Sequence, residues 1–222
     1  MKKSPPKLNA GKNKTFSKMH LLITAGGTRE YIDPVRFITN ASSGRMGYAL
    51  ARAAVKAGHK VTLINASDLQ PPVGVDFVGV DSAAEMFKAV KKHFPRCDCL
   101  IMAAAVADYT PLKQAKSKIK KTNKPLTIKL KPTTDILKWA GRHKKKNQVV
   151  VGFALEDKAV RTRAEKKLKE KNLDMIIANT PAAIGADKST VQIKVTGGKW
   201  LKIPQAGKTT IAQKIISLVE GL

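Results

Sequence analysis

Acidic residues are the scarcest class in this chain: 16 Asp and Glu stand against 42 Lys and Arg in 222 residues, a formal charge of +26. Such an excess predicts attraction to phosphates of any kind and salt-dependent, non-specific binding to nucleic acid. It does not predict a dedicated nucleic-acid reader. The lysines run from the N-terminal tail to the C-terminus and aromatic residues make up only 5%, so platforms for stacking bases are few. Zinc-finger, basic-zipper and RNA-recognition signatures are missing as well. Cysteine is nearly absent. Cys97 and Cys99 sit two apart at the start of an apolar run, a spacing that in a strand points both side chains the same way and strains any bridge. Two thiols without further ligands make a poor zinc site, so reduced cysteines in a cytoplasmic protein are the expectation. No apolar run approaches the roughly 18 residues that span a bilayer, and residues 1–18 lack the apolar stretch of a secretory signal. That segment is Lys-rich and acid-free, with Pro5, Pro6 and Gly11, and reads as a disordered basic tail. It has none of the arginines usual in a mitochondrial presequence.

What is present suits one globular unit over residues 19–222, since 43% hydrophobic residues are enough for a single core. Apolar runs alternate with helical patterns, which predicts an α/β fold with a doubly wound, mostly parallel Rossmann-like sheet. Strands are expected at 20–25, 60–65, 76–80, 99–106, 149–153 and 173–178. Helices are expected at 44–57, closed by Gly58, at 82–94 with Asp81 or Ser82 as N-cap, at 157–171 and at 207–219. Residues 191–195 and 199–203 flank Thr196-Gly197-Gly198, a C-terminal hairpin signal. Between 107 and 131 lies a Lys-rich insertion with one expected strand at 126–130. Insertions of that length more often serve as functional flaps than as idle loops.

In a doubly wound sheet, ligands gather beyond the carboxyl ends of the strands. The segments there are Gly26-Gly27-Thr28, Asn65-Ala66-Ser67, residues 103–108, residues 152–156 and Asn179-Thr180. Paired glycines permit a sharp turn and expose N–H groups to an anion. The next helix opens with Ser42-Ser43-Gly44-Arg45-Met46-Gly47, where free N–H groups, a capping serine and Arg45 suit phosphate. In the dinucleotide fingerprint the glycines join strand to helix directly. Here residues 29–40 intervene as an ordered polar excursion over the sheet edge, better explained by substrate contacts than by packing.

The stretch 24–47, TAGGTREYIDPVRFITNASSGRMG, resembles the opening motif of the phosphopantothenate–cysteine ligases. AAAVADY at 103–109, KIKK at 118–121, VVGFALE at 150–156 and residues 164–179 continue the resemblance in the family's order, over nearly all of the chain after the tail. The resemblance implies a ligase of coenzyme A biosynthesis that joins 4′-phosphopantothenate to cysteine, with CTP as co-substrate and Mg²⁺ as cofactor. The substrate carboxylate attacks the α-phosphate and expels pyrophosphate, giving an acyl-cytidylate. The cysteine amine then attacks the activated carbonyl and expels CMP. A carboxylate is a poor acyl donor until its oxygen becomes a good leaving group, and the site must offset crowded negative charge while holding the reactants in line. The resemblance also implies a homodimer. At 222 residues the chain has no room for the flavin-dependent decarboxylase that many bacterial relatives carry, so a separate polypeptide is expected to act on the product.

Carried over motif by motif, Asn40 matches the residue that contacts the substrate carboxyl and assists the cysteine step, its amide donating to the acyl oxygen. Arg36 matches a substrate-contacting arginine, and Ala104 and Ala105 offer backbone groups to the substrate. Asp108 matches a nucleotide-contacting aspartate. Lys118, ten residues later in KIKK, matches the flap lysine that steadies the phosphorus during activation. Phe153 packs on the base, and Lys167 and Lys171, four apart and so on one helix face, reach the nucleotide. Gly26, Gly27, Thr28, Ser43, Gly44, Arg45, Met46 and Gly47 frame the phosphates. Pro132-Thr133-Thr134-Asp135-Ile136 stands where the family has Lys-Asn-Pro-Asp-Ile, and Thr133, Thr134, Asp135 and Ile136 are expected to supply backbone contacts to the nucleotide. After Asn179 the usual Phe-Gly-x-Asp-x-Asn becomes Ile184-Gly185-Ala186-Asp187-Lys188-Ser189, losing the aromatic and the last amide; less rests on that loop. The metal ligands are not assigned. Two other readings stay open. A nicotinamide-dependent oxidoreductase predicts an acidic residue at the end of the second strand, where Asn65 stands. A non-enzymatic nucleic-acid binder explains the charge but leaves residues 24–47 and KIKK without a role.

Overall fold

Leu21, Leu22 and Ile23 are apolar in succession and all fully buried, the mark of a parallel strand covered on both faces. A computed structural model describes residues 17–222; the expected basic tail lies outside them except for its last two residues. In chain order the elements are β1 (His20–Gly26), β2 (Arg29–Tyr31), β3 (Phe37–Thr39), α1 (Arg45–Lys56), β4 (Lys60–Ala66), β5 (Asp76–Gly79) and α2 (Ala83–His93). Then come β6 (Cys99–Met102), β7 (Tyr109–Pro111), β8 (Leu130–Pro132), α3 (Ile136–His143), β9 (Val149–Leu155), α4 (Val160–Glu170), β10 (Met175–Asn179), β11 (Lys188–Val195), β12 (Trp200–Gly207) and α5 (Lys208–Val219).

The main sheet runs β12-β11-β10-β9-β6-β1-β4-β5. The strands from β5 to β10 pair in parallel, and β11 and β12 add an antiparallel hairpin at one edge. The chain first winds outward from β1 through β4 to β5, then returns to place β6 on the other side of β1. That reversal is the switch point of the expected doubly wound sheet. Alternate residues of β1 feed two cores. Leu21, Ile23 and Ala25 pack with Tyr48 and Leu50 of α1 and Ile211 and Ile215 of α5. Leu22 packs with Met86 and Val90 of α2, Leu137 of α3 and Leu168 of α4 on the opposite face.

Helix α1 approaches the sheet through Ala49, Ala51, Ala53 and Ala54, and its first turn comes nearest. A Cβ on Gly47 would lie 2.5 Å from the Ala25 Cβ and 2.9 Å from the Thr24 carbonyl oxygen. Gly26, at φ +86°, lets the end of β1 lie against Ala66 in the same way.

Several element limits differ from expectation for identifiable reasons. The strand expected at 99–106 stops at Met102: the Ala104 and Ala107 N–H groups go to the Thr24 and Thr28 hydroxyls instead of to strand carbonyls, and Ala105 pairs with Gly27 as an isolated bridge. The strand expected at 126–130 is instead β8, since the only partner available, β7, pairs Tyr109 with Pro132 and Pro111 with Leu130. Cys97 and Cys99 do not point the same way: Cys97 lies beyond a 3₁₀ turn, and the two thiols enter opposite cores. Both are free. Helix α4 begins at Val160 rather than 157, after Ala159 in the left-handed region. The C-terminal hairpin, Ser82 as N-cap of α2 and Gly58 after α1 stand as expected.

Gly47→Ala should force α1 away from β1 and lower stability by about 1–3 kcal/mol, read as a shift in the urea midpoint at unchanged slope. A midpoint within error of the parent contradicts the close-packing account.

Candidate active site

Two threonines of the first strand region build the floor. The Thr24 Oγ1 accepts from the Ala104 N–H at 3.1 Å, and the buried Thr28 Oγ1 accepts from the Ala107 N–H at 2.9 Å. Between them the Gly26 carbonyl accepts from the Ala105 N–H at 2.8 Å. Residues 103–107 are thereby held alongside the end of β1 and the residues after it, Ala105 keeping the parallel register through a bridge to Gly27. The N–H groups of Ala104 and Ala105 are occupied by these contacts, and the Ala105 carbonyl accepts from the Thr28 N–H at 3.3 Å. Gly26, Gly27 and Thr28 are buried beneath this floor rather than exposed on it.

The excursion over residues 29–40 is a β2–β3 hairpin that covers the carboxyl end of β1, a central strand, instead of the sheet's outer edge. Thr39 Oγ1 donates to the Thr28 carbonyl at 2.8 Å. Asn40 Nδ2 donates to the carbonyls of Ala105 and Val106 at 3.3 and 3.1 Å. Both amide hydrogens are used in this way, and among the described residues its Oδ1 accepts nothing.

Helix α1 starts immediately afterwards. Its N-cap is Gly44, at φ +73°, and no side chain caps it; the capping serine expected from the motif is corrected to an uncapped glycine. The first N–H groups of a 12-residue helix are left open beside Arg45, which suits an anion. Arg45 is exposed and its guanidinium lies 3.5 Å from Asp187.

The facing wall comes from α3, β9 and α4. Asp135 caps α3 by accepting from the Lys138 N–H at 2.9 Å, and receives the Lys171 ammonium at 2.7 Å. Those two partners hold its carboxyl below its ordinary value against the cost of burial. Lys167 donates to the Phe153 carbonyl at 2.8 Å. Burial and the neighbouring Lys171 depress the Lys167 ammonium, against the opposing pull of Glu156, Asp135 and Asp108. Thr133 ties this wall to the floor, its Oγ1 donating to the Ala107 carbonyl at 2.6 Å.

Between the two walls lies a cleft of about 530 Å³. Asn40, Ser43, Gly44, Arg45 and Met46 line one side; Ala104, Ala105 and Asp108 line the floor; Thr133, Thr134, Asp135, Ile136, Phe153, Lys167 and Lys171 line the other. Six expected residues are not on it: Gly26, Gly27, Thr28 and Gly47, which are buried against the sheet, and Arg36 and Lys118. Arg36 is turned to Asp33, at 2.5 Å, and to the Ile119 carbonyl, at 2.7 Å. Lys118 stands exposed on the flap, outside the cleft lining. Conversely, Met102, Asn179, Ile184, Gly185, Ser189 and Lys208 line the cleft without having been assigned. Asn179 was legible as a strand end. Ile184 and Ser189 stand where the motif has its aromatic and its last amide, which weakens the signal of that loop, and nothing in the sequence separates Lys208 from the other lysines.

Among the described residues no group of three or more His, Cys, Asp or Glu could hold a metal. The cleft offers Asp108, and Asp135 is already engaged by Lys171. That donor set fits a magnesium ion that arrives with phosphates and takes one protein carboxylate. No helix among the described residues is long and apolar enough to cross a membrane.

Residues 16–222 match the family of the DNA/pantothenate metabolism flavoprotein C-terminal domain. The chain belongs to that family. The Coenzyme A biosynthesis bifunctional protein CoaBC of Bacillus subtilis (strain 168) is 45% identical over 209 residues, covering 91% of this chain and 51% of that protein. This chain thus spans about half the length of the curated relatives it matches. The solved C-terminal domain of a Coenzyme A biosynthesis bifunctional protein CoaBC shares the fold at a TM-score of 0.81 and 38% identity, covering 94% of this chain and 97% of that one. The DNA/pantothenate metabolism flavoprotein from Streptococcus pneumoniae superposes at a TM-score of 0.80 and 25% identity, covering 91% and 99%. The α/β sheet, its switch point and its cleft are therefore those of a family domain.

A lysine depressed in the folded state binds its proton less tightly there than in the unfolded chain, so stability rises with pH between the lowered value and the ordinary lysine value of about 10.4. An anion in the cleft reverses the depression. CTP titrated calorimetrically at a series of pH values below about 10.4, each in two buffers of different ionisation heat, should show net proton uptake within that window. The uptake should vanish in Lys167→Arg, whose guanidinium stays charged. Equal heats in both buffers for the parent protein contradict the assignment.

Proposed function

We propose that this chain is a phosphopantothenate–cysteine ligase that activates the acyl substrate with CTP and acts in coenzyme A biosynthesis. The observation that carries the reading is the arrangement across one cleft. The uncapped start of α1 with Arg45 faces the Lys167–Lys171 pair, and Asn40 is locked to the floor beside them. Membership of a family whose relatives are named for coenzyme A biosynthesis supports it.

In this reading the triphosphate lies between the α1 N–H groups and the two lysines, where preorganised donors offset its charge at little reorganisation cost. Asp108 would hold a Mg²⁺ that arrives with the phosphates, and the ion would supply neutralising charge to the pyrophosphate leaving group. The substrate carboxylate oxygen bonds to the α-phosphorus as the α–β bridge breaks, and the electron pair leaves with pyrophosphate. The flap keeps its anchored position beside the cleft, and the long Lys118 side chain reaches across to the phosphorus. The cysteine nitrogen then attacks the acyl carbon, CMP departs with the former carboxylate oxygen, and the nitrogen releases a proton. Because Ala105 and Val106 hold both Asn40 amide hydrogens, Asn40 presents its oxygen. It accepts from the attacking amine; donation to the acyl oxygen requires release of one carbonyl. A homodimer and a separate polypeptide that decarboxylates the product belong to the same proposal.

Pyrophosphate release measured without cysteine isolates the first half. Lys118→Gln should slow it by about 10²-fold or more, the scale of losing one transition-state donor. Asn40→Asp should leave it measurable while impairing conversion to product, and its added carboxylate oxygen meets the carbonyls of Ala105 and Val106. Activation by the Lys118 variant at the parent rate, or normal cysteine turnover by the Asn40 variant, overturns the respective role.

A further inference from the structure

The flap needs an anchor that its own composition does not supply. Of residues 112–129, only Ala115, Ile119 and Ile128 are even partly buried. The stem is the three-residue pairing of β7 with β8, continued by one bond from the Leu112 N–H to the Lys129 carbonyl. Apolar burial is therefore too small to fix the tip.

The turn of the β2–β3 hairpin meets the flap at two of its three partly buried residues. The Ile32 carbonyl accepts from the Ala115 N–H at 2.9 Å. Asp33, a carboxylate with no exposed surface, accepts from the Val35 and Arg36 N–H groups at 2.9 Å each and from the Arg36 guanidinium. Its Oδ2 also accepts from the Ile119 N–H at 3.1 Å, while Arg36 donates to the Ile119 carbonyl at 2.7 Å. One residue of the flap is thus held at both its backbone donor and its backbone acceptor, and the residue immediately before Ile119 is Lys118.

We propose that Asp33 is the positioning residue of the flap: its buried carboxylate, completed by Arg36, grips the Ile119 peptide and fixes where Lys118 stands. Asp33 acts through Lys118 and touches no substrate. An ion pair can do this where a hydrophobic contact cannot, because it sets direction and distance together. Arg36 accordingly serves the reaction from the hairpin side, by latching the flap. The inference rests on the ligase reading for what Lys118 does, but not for where the flap is held.

Two measurements on the whole chain separate those parts. Amide hydrogen exchange should show Ile119 protected in the parent and unprotected in Asp33→Asn, with the Ala104 and Ala107 amides, held by Thr24 and Thr28, protected in both. Pyrophosphate release without cysteine should fall about 100-fold in Asp33→Asn, the scale of a misplaced group, with little change in the KM for CTP. In a Lys118→Gln background the same substitution should add almost nothing, since the two residues act as one unit. Unchanged Ile119 protection overturns the anchor, and independent, multiplying losses in the double variant overturn its action through Lys118. Should Asp33→Asn fail to fold, Arg36→Gln, which leaves the turn's carboxylate in place, is read by the same criteria. If the parent releases no pyrophosphate at all, the ligase reading fails, and the exchange result still decides the anchor.

Discussion

The capture of the Ala104, Ala105 and Ala107 N–H groups is the interaction on which the rest of the site depends. By accepting from them in turn, the Thr24 hydroxyl, the Gly26 carbonyl and the Thr28 hydroxyl tie residues 104–107 to the end of β1 and the turn after it, at the switch point. The carbonyls that this loop exposes then hold Asn40, and the Ala107 carbonyl holds Thr133. Both walls of the cleft are thus hung from one short segment. Leaving a buried N–H without a partner costs about 1–3 kcal/mol, so the loop has a strong reason to stay where β1 places it.

The second organising feature is electrostatic. The overall charge of +26 is spread widely, and the cleft uses only a few of those cations. What separates them from the rest is environment. Lys171 is aimed by Asp135, Lys167 by the Phe153 carbonyl, and Lys167 is buried enough that its charge is disfavoured until an anion arrives. Such a group is a better phosphate receptor than a solvated lysine because its interaction is less screened.

Much of the fold could be read from alternation of apolar runs and helical patterns, since the central parallel strands β1, β4, β6 and β10 are buried on both faces. Boundaries failed where a local competitor decided them: the Thr24 and Thr28 hydroxyls shortened β6, and the shortness of β7 moved β8. The site was legible through its motifs. Asn40, Arg45, Asp108, Phe153 and the Lys167–Lys171 pair do meet in one cleft. The glycines were placed correctly but given the wrong emphasis. Gly26 and Gly47 permit close approach of backbone and helix to β1, and only Gly44 of the set named here borders the cleft. Asp33 carried no signal in the sequence, because a carboxylate in an Asp-Pro turn looks the same whether it faces water or a flap. Asn65, where a nicotinamide site needs an acid, folds its side chain onto Ser67.

The central claim is that a carboxylate oxygen becomes bonded to a nucleotide phosphorus in this cleft and leaves with the nucleotide. Phosphopantothenate labelled with ¹⁸O in its carboxylate, turned over with CTP and cysteine and analysed by mass spectrometry, tests it directly. The account predicts that each CMP formed carries one labelled oxygen. Unlabelled CMP, or label recovered in orthophosphate with CDP as the other product, would contradict it.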